Sequence, residues 1–248
     1  MPVKRRLFDF DRPLTTVDVV IFTIYDSALQ VLLVQRDRSP GEPFVGRWAL
    51  PGGFVDTARD RDLESCARRK LVEKTSVEAP YLEQLGSFGN AVRDPRGWSA
   101  THVYFALMRS DSVALRPGGN AADLSWFPIR GDGVRERLAF DHSELLSAAI
   151  LRLRSKVEYT SLPAFFVPEE FTLTQLQKMY EVILSRDLEK KAFRTRVLAA
   201  DILQVLPRVH GGANRPAQLY KLKRVQQPHI FSRPFGSADT RTVTRGGE

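Results

Sequence analysis

The segment Trp48-Ala49-Leu50-Pro51-Gly52-Gly53-Phe54-Val55 constrains this chain more than any other. A short apolar run ends on a proline and two glycines, residues that break regular structure and permit backbone angles other residues avoid. Beyond a polar loop, Leu63, Cys66, Ala67 and Leu71 recur at helical spacing among charged residues, so residues 63–74 read as an amphipathic helix. A strand, a Gly-Gly stop and a helix in this order call for an α/β arrangement with the loop at the edge of a sheet.

The surrounding sequence agrees. Residues 17–25 and 29–35 are β-branched and aliphatic runs joined by Asp26-Ser27-Ala28, a hairpin signal. Residues 38–47 hold two prolines and two glycines and form a loop. Residues 82–92 and 101–108 read as strands about the turn Asp94-Pro95-Arg96-Gly97, residues 124–128 as a short strand, and residues 143–156 as an amphipathic helix. The expectation is an α/β/α sandwich over residues 1–157.

The character then changes. Residues 158–168, with two prolines around Phe165-Phe166, read as a linker that packs. Thr172 and Gln175 form a T-x-x-Q capping box that opens a helix to residue 184. Residues 185–187 are a turn, with Asp187 as the next N-cap, and a second helix runs over residues 188–199. Strands at 202–207 and 217–223 flank His210-Gly211-Gly212-Ala213-Asn214. Helix, tight turn, helix and β-hairpin give a C-terminal winged helix-turn-helix over residues 169–225. In its second helix Leu188, Phe193, Val197 and Leu198 face the core, which leaves Lys190, Lys191, Arg194, Thr195 and Arg196 for a major groove. Arg208, His210 and Arg215 on the wing suit phosphates. Residues 226–248 are polar and read as a disordered tail.

Charge supports this division. The net charge is +8; residues from 155 onward carry 15 Lys/Arg against 9 Asp/Glu, while the preceding part carries 22 against 20. A basic C-terminal part suits a polyanion such as double-stranded DNA, although an acidic protein partner would meet the same surface. Cys66 is the only cysteine, so no internal disulfide forms and a reducing cytoplasm is expected. No apolar run approaches the length that spans a bilayer, and the N-terminus lacks a signal-peptide core.

Residues 52–77 resemble the Nudix box, whose family pattern is G-x5-E-x7-R-E-U-x-E-E-x-G-U. Arg69, Leu71, Glu73 and Val77 match it; Lys70 and Lys74 stand where the family has glutamates, Ser76 replaces the glycine, and the first glutamate falls near Arg61. Nudix hydrolases hold Mg²⁺ with carboxylates on one helix face, where the ion polarises a diphosphate and activates water. Residues 70, 73 and 74 share such a face. One anion between two cations repels a divalent ion and attracts a bare diphosphate, so the expectation is no metal, no required cofactor and no efficient hydrolysis. The same residues would also suit an ordinary salt-bridged, solvated helix face.

With Arg215-Pro216-Ala217-Gln218-Leu219-Tyr220 and the basic stretch Lys191-Ala192-Phe193-Arg194-Thr195-Arg196, the whole chain resembles the Nudix-related regulators of NAD metabolism, the NrtR/NadQ family. Ala192 and Thr195 depart from that family's basic stretch. The resemblance implies a homodimeric repressor of NAD biosynthesis or salvage genes, on a palindromic operator, with ADP-ribose or a related nucleotide as effector. The alternative it leaves open is an ADP-ribose or dinucleotide pyrophosphatase. An ADP-ribose-like ligand needs cations, an aromatic platform and polar groups. Arg36, Arg47, Trp48, Phe54, Lys70, Glu73, Lys74, Arg93, Asp94 and His102 are the candidates. Trp48 suits core packing equally well, Arg93 and Asp94 could serve only their turn, and His102 could be a strand residue satisfied by a neighbour.

Overall fold

The computed structural model describes residues 11–76, 78–109, 111, 121–210, 216–223 and 227–235. These fall into two compact units, the first running to residue 149 and the second from residue 150 on, with Thr23–Leu29 and Arg109–Asp111 counted to the second.

Strand β1 (Leu14–Tyr25) lies at the centre of the first unit's seven-stranded sheet. It pairs in parallel with β6 (Ser99–Leu107), with Leu14 opposite Ser99 and Phe22 opposite Leu107, and β5 (Tyr81–Asn90) runs antiparallel to β6. On the other side of β1 lies β2 (Ala28–Arg36), which pairs with β3 (Trp48–Ala49) and with β7 (Ala121–Pro128). Val17, Val19, Ile21, Leu32, Val34, Tyr104, Ala106 and Met108 form one apolar face, packed with Cys66, Ala67 and Leu71 of α1 (Leu63–Thr75). The alternate residues Val20, Phe22, Val31, Leu33, Val103, Phe105 and Leu107 are also fully buried. A sheet covered on both faces explains why β1 and β2 are continuously apolar instead of alternating. Helix α2 (His142–Val157) contributes the buried Leu145, Leu146 and Ala149. The fold is the expected α/β/α sandwich.

One expectation needs correction. Gly52-Gly53 does not merely stop a strand; Gly52–Phe54 is itself strand β4, antiparallel to β1, with Gly52 opposite Asp18 and Phe54 opposite Thr16. A Cβ at Gly52 would lie 2.0 Å from Asp18 Oδ1 and 2.7 Å from the Val17 carbonyl. Only glycine lets β4 lie this close to β1.

In the second unit a 3₁₀ turn, Leu162–Phe165, precedes β8 (Phe171–Thr172), α3 (Leu173–Leu184), α4 (Lys190–Ala199), β9 (Leu203–His210) and β10 (Ala217–Leu222). The three strands form a sheet in the order β8-β10-β9. Thr172 and Gln175 make the capping box expected of them. The N-cap of α4, however, is Glu189 and not Asp187: its carboxylate accepts from the Lys191 and Ala192 amides at 2.8 and 2.6 Å. Leu188 is held outside the helix by α3, because Glu181 accepts its N–H and Gln177 donates to its carbonyl. Phe193 and Val197 enter the core as expected, but Leu198 is 48% exposed.

The tail also departs from expectation. Residues 227–235 return to the second unit: the Ser161 amide donates to the His229 carbonyl at 2.9 Å and the Phe231 amide to the Tyr159 carbonyl at 2.8 Å. Phe231 and Phe235 anchor the segment (their ring centroids are 5.1 Å apart), and the polar average of the tail hid these two aromatic residues. The remainder of the tail lies outside the described residues. Among the described residues no helix is long and apolar enough to cross a membrane.

Candidate functional site

A cleft of about 440 Å³ opens in the first unit beside β1, β4 and α1. Seven cations and five carboxylates line it. Strand β4 delivers Phe54, 44% exposed, to one wall. Helix α1 delivers Lys70, Glu73 and Lys74 to another, and Gly53, at φ +145°, leaves its missing Cβ 3.0 Å from Lys70 Nζ. Arg36 closes β2; it donates to the Pro43 carbonyl at 2.8 Å and to Glu42 at 2.7 Å, and lies 4.8 Å over the Phe140 ring. Arg96, from the 94–97 turn, grips Asp94 through two nitrogens and lies 5.1 Å over Phe54 and 6.0 Å over Phe140. Burial raises the Asp94 pKa, but the hydrogen bonds from Arg96 outweigh it and hold this carboxyl below its ordinary value. Phe44 and Phe140 meet edge to face at 4.7 Å, both at positive φ (+56° and +51°). Bulky residues avoid that region, so backbone strain is stored at the cleft's edge.

The floor is a buried polar cluster. Asp18 accepts from the Thr101 hydroxyl at 2.7 Å and lies 3.8 Å from both Arg93 and His142. Arg93 is buried and spends its guanidinium on Asp141, at 2.8 and 2.9 Å, and on Ser99. It therefore braces the site and has no fork left for a phosphate. The Leu50 amide donates to His142 Nδ1 at 2.9 Å, which places the ring proton on Nε2 toward Asp18. Burial lowers the pKa of His142, so the neutral ring is the native form. Arg69 binds Asp60 through two hydrogen bonds, at 2.7 and 2.6 Å, and these hold the Asp60 carboxyl far below the ordinary range. Burial pushes the Cys66 thiol up to about 11, so it is inert.

The cleft thus gathers Arg36, Phe54, Lys70, Glu73, Lys74, Arg93 and Asp94 of the sequence candidates. Arg47 lies over Phe44 at 5.4 Å, Trp48 packs edge to face on Phe127 at 4.7 Å, and His102 bonds Ser87 at 2.8 Å; none of these three lines the cleft. Sequence reasoning missed Asp18, Arg96, Phe140 and His142. Asp18 carried a signal, as the lone charge inside an apolar run, and Arg96 sat in a turn already singled out; Phe140 and His142 carried none.

The residues present do not fit a divalent ion. Glu73 bonds Arg69 at 3.1 Å and lies 3.6 Å from Arg59, Asp60 is committed to Arg69, and Lys70 and Lys74 flank Glu73 on the helix. Among the described residues no group of three or more His, Cys, Asp or Glu is placed to hold a metal. A phosphate, with charge of the opposite sign, suits the same cations.

A second candidate surface lies on α4. Lys190 and Lys191 are exposed in its first turn and Thr195 is exposed at mid-helix. Arg194 and Arg196 are half-buried. Arg194 reaches the Thr174 hydroxyl at 3.5 Å, and Arg196 lies 4.4 Å over Phe235. Arg208 on β9 is exposed and paired with Glu170. The side chain of His210, and Arg215 altogether, lie outside the described residues.

Seven strands between helices, a cleft at the Gly-Gly strand, and then helix-turn-helix with a hairpin define a Nudix domain followed by a winged helix. The family model of the Nudix domain matches residues 14–148, and that of the NrtR DNA-binding winged helix domain matches residues 163–222. The chain is 45% identical over 213 residues to the ADPR responsive transcriptional repressor NtrR of Acinetobacter baylyi, covering 86% of this chain and 83% of that protein. It is similar to Shewanella oneidensis NrtR solved with a 27mer DNA, with a TM-score of 0.80 and 43% identity over 89% of this chain and 98% of that one. The Nudix domain of the same Shewanella protein, solved with ADP ribose, matches at a TM-score of 0.52 and 46% identity over 58% of this chain and 90% of that domain. The chain belongs to the NrtR family.

Proposed function

We propose that the chain is a repressor of NAD biosynthesis or salvage genes that binds a palindromic operator as a homodimer and releases it on binding ADP-ribose or a related nucleotide. The observation that carries this reading is the charge reversal on α1: Lys70 and Lys74 occupy the face where a hydrolase needs carboxylates, in a chain that also bears a winged helix. The names of its relatives support it, since one is described as an ADPR-responsive repressor and another was solved both with DNA and with ADP ribose.

Lys70 and Lys74 hold the diphosphate, and Phe54, backed by Arg96 and Phe140, offers a stacking surface to the adenine. Arg36 and Arg96 keep the wall in place through Glu42 and Asp94 and add positive potential. Arg47, Trp48 and His102 shape the frame without touching the ligand. No cofactor takes part, and the protein acts in the cytoplasm. At the DNA, α4 enters the major groove with Lys190, Lys191 and Thr195 leading; Arg194 and Arg196 support from its flank, and Arg208, His210 and Arg215 follow phosphates. One head covers a half-site, so two heads sit about 34 Å apart on a palindrome. The effector acts by preferring the protein arrangement that fits DNA poorly.

A gel shift on the palindrome upstream of candidate NAD genes, with and without ADP-ribose, tests this. Retardation relieved by ADP-ribose is expected; absence of retardation at moderate salt ends the reading. Mg²⁺-dependent release of AMP at about 1 s⁻¹ or faster would restore the hydrolase alternative.

A further inference from the structure

We infer that residues 227–235 are part of the DNA-reading head and that Arg233 extends its contact with the phosphate backbone. The inference rests on the DNA-binding reading above and goes beyond it, since this segment follows the 163–222 region that the winged-helix family model covers.

The segment is built in. Three backbone bonds and one to a side chain tie it to residues 158–161: the Ser161 amide to the His229 carbonyl, the Phe231 amide to the Tyr159 carbonyl, the Phe235 amide to the Glu158 carbonyl, and the His229 amide to the Ser161 hydroxyl. Its aromatic residues complete a cluster under the reading helix. The Phe235 ring lies 4.8 Å from Tyr180 of α3 and 5.7 Å from Phe193 of α4, and those two rings meet at 5.3 Å. Arg196 of α4 stacks on Phe235, so the strap also fixes the pose of one of the helix's cations. A segment held at this many points is a structural element of the head.

Its position gives it a task. The strap and α4 enclose a concavity of about 580 Å³ that Lys191, Thr195, Arg196 and Arg233 share. Lys191 and Thr195 belong to the exposed face of α4, and Arg233 is exposed beside them. The carboxylate in that wall, Glu189, is already committed to capping the helix. Cations beside a helix seated in the major groove meet phosphates, which carry no sequence information but set register and affinity. Arg233 is therefore assigned a backbone contact and not a base contact.

The test is fluorescence anisotropy of the full chain with a labelled random-sequence duplex at about 50 to 200 mM KCl. Arg233→Ala is expected to weaken binding several-fold at the low-salt end and to make the slope of log K against log salt shallower by about 0.9, the loss of one phosphate contact. Arg233→Lys should restore most of both. Arg130→Ala, which removes an exposed cation from the first unit, should leave the slope unchanged. A parent-like slope in Arg233→Ala, or an equal change in Arg130→Ala, overturns the inference while the repressor reading stands. Failure of the parent chain to bind any duplex removes both.

Discussion

At the scale of single residues, the site depends on small groups that leave room for charged ones. Gly52 is the clearest case: a methyl group there would meet both the Asp18 carboxylate and the backbone of Val17. Backbone cannot yield as a flexible side chain can, so Gly52→Ala should destabilise the first unit by about 3 kcal/mol, read from urea unfolding. A near-neutral result would mean that β4 does not lie against β1 as described. His142 gives a pH dependence of definite sign. Its pKa is depressed from the ordinary 6.5 by burial, so the unfolded chain takes up its proton first as pH falls. The stability it contributes is complete above about 6.5 and is lost as pH drops from there through the lowered native value. Unfolding at pH 7.5 and at 5.5, about one unit either side of that ordinary value, should show this loss, and His142→Gln should remove it. Asp60, also depressed, acts only below the ordinary carboxylate range and does not enter that window. Charge reversal on α1 tests the ligand side: Lys70→Glu with Lys74→Glu should abolish the effector's ability to release DNA, and an unchanged ADP-ribose titration would take both lysines out of the site.

At the scale of elements, legibility followed the reach of the interactions. Strands β1, β2 and β6 could be read as short, largely continuous apolar runs buried on both faces, and helices α1, α2 and α3 because each buries an apolar set at helical period. The Thr172–Gln175 box was legible because it is local, spanning three residues. The start of α4 was misread because Asp187 looks like a cap in isolation, whereas Glu181 and Gln177 of the preceding helix pin Leu188 and pass the role to Glu189. That choice is tertiary and leaves no mark in a short window. Strand β4 was hidden for a similar reason: two glycines have no β propensity, and the contact that requires Gly52 is with Asp18, 34 positions earlier. The strap at 227–235 was masked by the polar residues around two phenylalanines. Glu189→Ala tests the corrected cap. It should cost about 1 kcal/mol of stability, measured by denaturant unfolding, while Asp187→Ala should cost little. The reverse order would reinstate Asp187.

At the scale of the whole molecule, the proposed function requires two binding activities that oppose each other. If ADP-ribose weakens operator binding by some factor, operator must weaken ADP-ribose binding by the same factor, because both describe one coupling free energy. This ties the cleft to the reading helix without any assumption about the route between them. A coupling of tenfold is about 1.4 kcal/mol, within the usual range for such proteins. Calorimetric titration of ADP-ribose into free protein and into the operator complex should therefore give dissociation constants whose ratio equals the loss of operator affinity at saturating ADP-ribose. The charge-reversed Lys70/Lys74 variant should keep operator affinity and lose both shifts together. Equal ADP-ribose affinities in the presence and absence of operator, with repression still relieved, would mean that the nucleotide acts elsewhere than on the DNA-binding equilibrium. In that case the positive face of α1 would be a solvated helix surface, as its composition alone allows, and the control of transcription would have to come from another ligand.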